Sequence, residues 1–171
     1  LVNHLYISIP LLLFTLTPYT KSYFTHYNAL LSIMLMILVW SSDSWAYVAG
    51  KLFGKHKLAP SISPGKTWEG LIGGTILSGL TGFVIVQYLL EPNGGYIGSD
   101  NYHIFNPLKG IILGISISIF GTMGDLFESS LKRKAGVNDS GNVLPGHGGM
   151  LDRFDAFLFA VVVFTIVSRI P

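Results

Sequence analysis

Apolar positions along the chain gather into five long runs separated by polar segments, at roughly 3–19, 28–50, 68–91, 108–131 and 150–170. A helix needs about 20 mostly apolar residues to cross a bilayer, so each run predicts a transmembrane helix. The first is short and has Pro10 inside it. Gly and Ser recur within the third and fourth runs, and small residues of this kind let helices approach closely in lipid. There is no internal repeat and no low-complexity segment. The pattern predicts an all-α, polytopic membrane protein of about five transmembrane helices, forming one domain over 1–171.

Composition supports a membrane setting. Half of the residues are hydrophobic and only 12% are charged, against about 25% charged in soluble domains. With no cysteine, disulfides and thiolate metal sites are excluded. A net charge of +2 does not imply a polyanion-binding surface, and no nucleic-acid partner is expected. The distribution of charge says more than its sum. Eight of the eleven Lys and Arg lie in two loops, 51–67 and 132–153, which the five spans place on one side. The intervening loop at 92–107 holds only Asp100 as a charged residue, plus His103. The positive-inside rule makes the basic side cytoplasmic. Residues 5–18 could pass for a signal-peptide core, but no basic flank precedes them and no clear small-residue cleavage site follows.

Several charges fall where lipid should be. Asp43 sits inside the second run, Asp125 and Glu128 inside the fourth, and Asp152, Arg153 and Asp155 open the fifth. A carboxylate at mid-bilayer costs roughly 2.5–3.5 kcal/mol on insertion scales, so these groups should face each other, water or cations. Their spacing agrees. Asp43, Tyr47, Gly50 and Gly54 fall at i, i+4, i+7 and i+11; Asp125, Glu128 and Lys132 at i, i+3 and i+7; Asp152 and Asp155 at i and i+3. A polar cavity walled by three helices and open to the cytoplasm is expected. Taken singly, Asp43 or Glu128 could merely pair with a lysine, 51–67 could be an ordinary basic loop, and His147 between glycines could be a turn. Taken together, carboxylates from two helices beside clustered Lys and Arg are what a metal–phosphate site requires. Mg²⁺ takes one or two carboxylates plus substrate phosphates, and Lys and Arg hold the remaining phosphate charge. "PGKTWEG" is not a P-loop, because position 60 is Pro where that motif needs Gly. Ser61, Ser63, Gly65, Lys66 and Thr67 could still offer phosphate donors.

"SSLKRKAGVNDSGNVLPGHGGMLDRFD", residues 129–155, resembles the signature of the phosphatidate cytidylyltransferases, or CDP-diacylglycerol synthases. The matching positions are Ser129, Lys132, Arg133, Asp139, His147, Gly148, Gly149, Asp152, Arg153 and Asp155. "GDLFES" (124–129) and "DSWAYVAGKLFGKHKLAPSISPGKTWEG" (43–70) resemble the family too, so the likeness covers about residues 40–160. Asn138 stands where the family usually has Lys, which weakens or removes one implied phosphate contact. Family members are longer, which implies further membrane helices before this region.

The resemblance implies transfer of a cytidylyl group from CTP to phosphatidate, with Mg²⁺. The membrane is a bacterial plasma membrane or an organelle membrane, the short, compact form pointing to the bacterial one, and the basic loops turn the site toward the cytoplasm. A second cation and a homodimer are left open. Asp125 and Asp152 are expected to bind the cation, with Asp155 as a further ligand or neighbour of one. Lys132 and Arg133 are expected to hold CTP phosphates. Lys66, Ser63, Thr67, His147, Gly148, Gly149 and Arg153 are expected substrate contacts, and Asp43 a residue of the polar cavity. Two other readings remain. One is a CTP-dependent polyprenol kinase or a related lipid cytidylyltransferase. The other is a cation-coupled transporter, which would have no need of Lys132 or Arg133.

Overall fold

A computed structural model describes residues 2–17, 29–90, 106–137, 140–141, 149 and 151–170. Five α-helices stand at the five apolar runs: α1 (Val2–Leu16), α2 (Ala29–Phe53), α3 (Trp68–Ile85), α4 (Pro107–Lys134) and α5 (Leu151–Arg169). A π-helical turn, Val86–Leu90, extends α3. Three helical stretches, Ala29–Phe53, Trp68–Leu90 and Pro107–Lys134, are long and apolar enough to cross a membrane. The chain is therefore an integral membrane protein. At 1.5 Å per residue the 15 residues of α1 reach only about 22 Å, and α5 carries Asp152 and Asp155 in its first turns.

Local signals explain the helix ends. Thr67 caps α3 by accepting a hydrogen bond from Gly70 N at 3.1 Å. Asn106 caps α4 by accepting from Lys109 N at 2.7 Å, with Pro107 following in the first turn. At the other end of α4, Gly136 adopts φ +71°, a conformation that side-chain-bearing residues rarely take. Gly136 N then donates to Arg133 O at 3.2 Å and Val137 N to Lys132 O at 3.0 Å. This paired closure satisfies carbonyls that the helix end would leave open, just where Lys132, Arg133 and Lys134 complement the helix dipole.

In the packing order, α3 lies between α2 and α4, α4 contacts α5, and α1 lies on α5. The core unites Leu35, Leu38, Val86, Leu113, Ile117, Val161 and Phe164 from four helices. α3 is patterned inside out. Gly70, Gly74, Ser78 and Gly82 are buried at four-residue intervals, whereas Ile72, Ile76, Leu80 and Val84 are exposed at the same interval. Lipid accepts the large apolar side chains, so the protein interface is left to small residues and backbones meet. A Cβ on Gly82 would collide with the Gly110 carbonyl, and one on Gly114 with the Ser78 carbonyl.

One element departs from the all-α expectation. Part of the basic loop 51–67 is a β-hairpin, with β1 (Lys57–Ala59) antiparallel to β2 (Ser63–Thr67). Lys57 pairs with Thr67 and Ala59 with Ser63, so β2 carries extra residues between two pairs and bulges. Pro64 sits in that bulge, where its missing N–H breaks no ladder. An isolated two-stranded hairpin is marginal in water, and this one is tied to α3. The Glu69 carboxylate accepts from Lys55 N (3.1 Å) and His56 N (3.2 Å) and meets His56 Nδ1 at 2.6 Å. Trp68 N adds a bond to His56 O at 3.0 Å.

The backbone seam between α3 and α4 predicts a sharp contrast. Gly114→Val should lower stability by about 1–3 kcal/mol through overpacking, and Ile112→Val on the exposed side of the same helix should be near neutral. Thermal unfolding in detergent measures both; equal melting temperatures would refute the seam.

Candidate active site

A cavity of about 420 Å³ is lined by α2 (Asp43, Ala46, Tyr47, Gly50, Lys51), the hairpin (Leu58, Gly65, Lys66, Thr67), α3 (Gly70, Leu71) and α4 (Thr122, Asp125). Asp43 and Asp125 therefore share one cavity, as their helical spacing suggested. The walls differ from expectation. α3 and the hairpin contribute, and among the described residues none of α5, the source of Asp152 and Asp155, lines this space. The β2 bulge delivers Lys66 across the cavity, where its Nζ lies 2.5 Å from Asp125 Oδ2. Asp125 Oδ1 faces Ser129 Oγ, one turn on, at 3.4 Å.

A second cluster forms where α4 meets α5. Lys132 Nζ lies 2.6 Å from Asp152 Oδ1 and 3.1 Å from Glu128 Oε2. The first contact is a hydrogen-bonded ion pair. The second has ion-pair distance without hydrogen-bond alignment, so both Glu128 oxygens lack a hydrogen-bond donor on a residue only 1% exposed. Asp152 Oδ2 accepts from Ser140 N and Ser140 Oγ, each at 2.9 Å, and from Gly149 N at 2.7 Å. One carboxylate thus ties the last turn of α4 and two points of the 140–149 segment to the first turn of α5. Oδ1 thus takes one donor and Oδ2 three.

Gly124 brings the two clusters together. A Cβ there would lie 2.7 Å from the backbone oxygen of Asp155 and 2.8 Å from the Phe159 ring. Only a bare Cα lets α5 cross α4 this closely beside Asp125. Asp155 Oδ1 accepts from Ala156 N at 2.6 Å. Among the described residues no three His, Cys, Asp or Glu side chains form a metal-binding group.

Thr67 lines the cavity but spends its hydroxyl on capping α3. Ser63 is half-buried at the start of β2 and stays off the cavity wall. Arg133 is exposed at the end of α4. Gly149 is present as a donor to Asp152. His147 and Gly148, with Asn138 and Asp139, lie outside the described residues, as does the Arg153 side chain. Sequence reasoning missed three participants. Ser140 follows Asp139 of the motif, so its place was signalled. Glu69 was legible only as an acidic residue in a helix's first turn. Tyr6 of α1, whose buried hydroxyl lacks a partner, packs on Phe127 and Phe159 at ring distances of 5.6 and 6.1 Å. No local signal reveals which way α1 turns.

The pattern described as the cytidylyltransferase family matches residues 2–170. The chain belongs to the cytidylyltransferase family. It is 43% identical over 146 residues to a phosphatidate cytidylyltransferase of Haemophilus influenzae, covering 84% of this chain and 48% of that protein. A Staphylococcus haemolyticus protein of the same name is 46% identical over 131 residues, or 77% of this chain and 46% of its own length. One from Staphylococcus aureus is 41% identical over 150 residues, or 86% and 51%. The chain thus spans about half the length of the curated relatives it matches.

The Lys132 node makes a stability prediction for this family member. Lys132→Ala strands Glu128 and Asp152 together and should cost about 3–5 kcal/mol. Adding Glu128→Gln should recover part of the loss. Denaturation of wild type, both singles and the double forms a cycle, and a coupling near zero would dismiss the node as a support.

Proposed function

We propose that this chain carries the catalytic site of a phosphatidate cytidylyltransferase, transferring the cytidylyl group of CTP to phosphatidate with release of pyrophosphate. The observation that carries this reading is the convergence of Lys66 and Lys132, delivered by different elements, on Asp125 and Asp152 beside a polar cavity. Family membership and the names of the relatives point the same way. The basic loops support a cavity on the cytoplasmic side of the bilayer, where a soluble, anionic nucleotide would reach it. The five helices would all traverse or enter the membrane, and phosphatidate would arrive within it.

Mg²⁺ fits the side chains present. Carboxylates outnumber ammonium groups here, and Glu128 holds two buried acceptors without donors. Such a set suits a hard cation that draws its remaining ligands from phosphate and water. Asp125 and Asp155 are the ligands we favour. Asp152, already bound to Lys132 through Oδ1 and to three donors through Oδ2, is the less available ligand. Bound there, Mg²⁺ would offset the negative charge that gathers on the leaving pyrophosphate. Lys66, Lys132 and Arg133 hold phosphate oxygens and align the α-phosphorus for in-line attack by the lipid phosphate. That phosphate is anionic at neutral pH, so no general base is needed. The rest is positioning and charge stabilisation. His147, Gly148, Gly149 and Arg153 are further substrate contacts in this scheme.

The test is transfer of label from CTP, marked at the α-phosphate, into lipid in micelles containing phosphatidate and Mg²⁺. The wild-type protein should transfer label, and a chelator should stop it. Asp125→Asn and Asp152→Asn should each lose about 10²-fold, the scale of one charge-stabilising group. Lys132→Ala should chiefly raise the KM for CTP. Release of CDP in place of pyrophosphate would instead identify a kinase. Full activity of both Asn variants would overturn the site.

A further inference from the structure

One side of the cavity is not explained by phosphate or metal chemistry. Tyr47 is an aromatic residue with 67% of its surface exposed, yet it lines the cavity rather than a purely lipid-facing row. It stands one turn along α2 from Asp43, and Lys51 stands one turn further. Lys51 Nζ lies 5.8 Å from the centroid of the Tyr47 ring, within cation–π range. Leu58 of the hairpin and Leu71 of α3 supply the apolar part of the lining. The volume, about 420 Å³, falls within the ~300–1,000 Å³ of small-molecule sites.

Two occupants compete for this end of the cavity. A lipid tail would favour a continuous apolar wall, but Asp43, Lys51, Lys66 and Asp125 all face the same space. A nucleobase matches the mixture better. Its faces stack on an aromatic ring, and its edges meet polar groups. The spacing fits as well. One helical turn, about 6 Å, separates Tyr47 from Asp43, which is close to the reach of a ribose from base to α-phosphate. A base on Tyr47 would set its α-phosphate near Asp43, Lys66 and Asp125, with the outer phosphates free to reach toward Lys132.

We propose that Tyr47 is the platform for the pyrimidine base of the nucleotide, with Lys51 beside it at the rim. This assignment rests on the cytidylyl-transfer reading and extends it to the base subsite. Tyr47 binds substrate and takes no part in bond making.

The test uses the membrane protein in lipid micelles, with CTP and inorganic tripolyphosphate as probes. Tyr47→Leu should raise the Kd and KM for CTP about 10-fold, the scale of losing one base–aromatic stack. The KM for phosphatidate should stay in place. Tripolyphosphate, which has no base, should compete equally well in wild type and variant. Tyr47→Phe should recover most of the lost CTP affinity. A shift in phosphatidate KM without one in CTP would overturn the assignment in favour of a lipid contact. CTP use unchanged in Tyr47→Leu, with label still reaching lipid, would overturn the platform and leave the transfer reading intact. Tyr47-dependent CTP binding without transfer would keep the platform and sink the transfer reading. A wild-type protein that binds no CTP would end both.

Discussion

The ammonium of Lys132 is the interaction on which the rest of the site depends. It stands between Glu128, one turn back on its own helix, and Asp152 on α5. Two carboxylates at the α4–α5 junction would repel one another in a weakly polarisable surrounding. With a lysine between them, the same charges draw the helices together. Asp152 then gathers Ser140 and Gly149, so the segment between α4 and α5 is anchored through the same carboxylate. Buried ion pairs do not by themselves guarantee stability. Here the pairing directs one: it sets where the acidic first turn of α5 can sit.

The glycines do the complementary task. In lipid there is little to gain from burying one apolar side chain against another, and close backbone contact takes over. Ser78 and Gly82 meet Gly110 and Gly114 across α3 and α4, and Gly124 admits α5. Polar groups can then stand within reach of one another across helices. The large side chains of α3 turn outward instead.

Much of this was legible in the sequence. Five apolar runs became five helices because length and apolarity are read directly from composition. Asp43 and Asp125 were assigned to a common cavity from helical spacing, and Asp125, Glu128 and Lys132 were placed on one helix face. Other features depended on tertiary placement. That α3 and the hairpin line the cavity follows from the order in which helices pack, which periodicity does not encode. The hairpin was hidden because its strands are three and five residues long and held by Glu69 from the next helix. Two of the four hydrogen bonds to Asp152 come from Ser140, twelve residues away in sequence.

The hairpin's attachment has a mechanical consequence. Its first strand is tethered to Glu69 through Lys55 and His56, and its second ends in Thr67, the cap of the same helix. Both ends are therefore fixed to one turn of α3, and the hairpin has no separate axis of rotation. It is an outrigger on that helix. Any tilt of α3 in the bilayer is carried to Lys66 as a displacement of its ammonium relative to Asp125. Of the two lysines that line the cavity, Lys66 is thus coupled to α3 and Lys51 stays on α2.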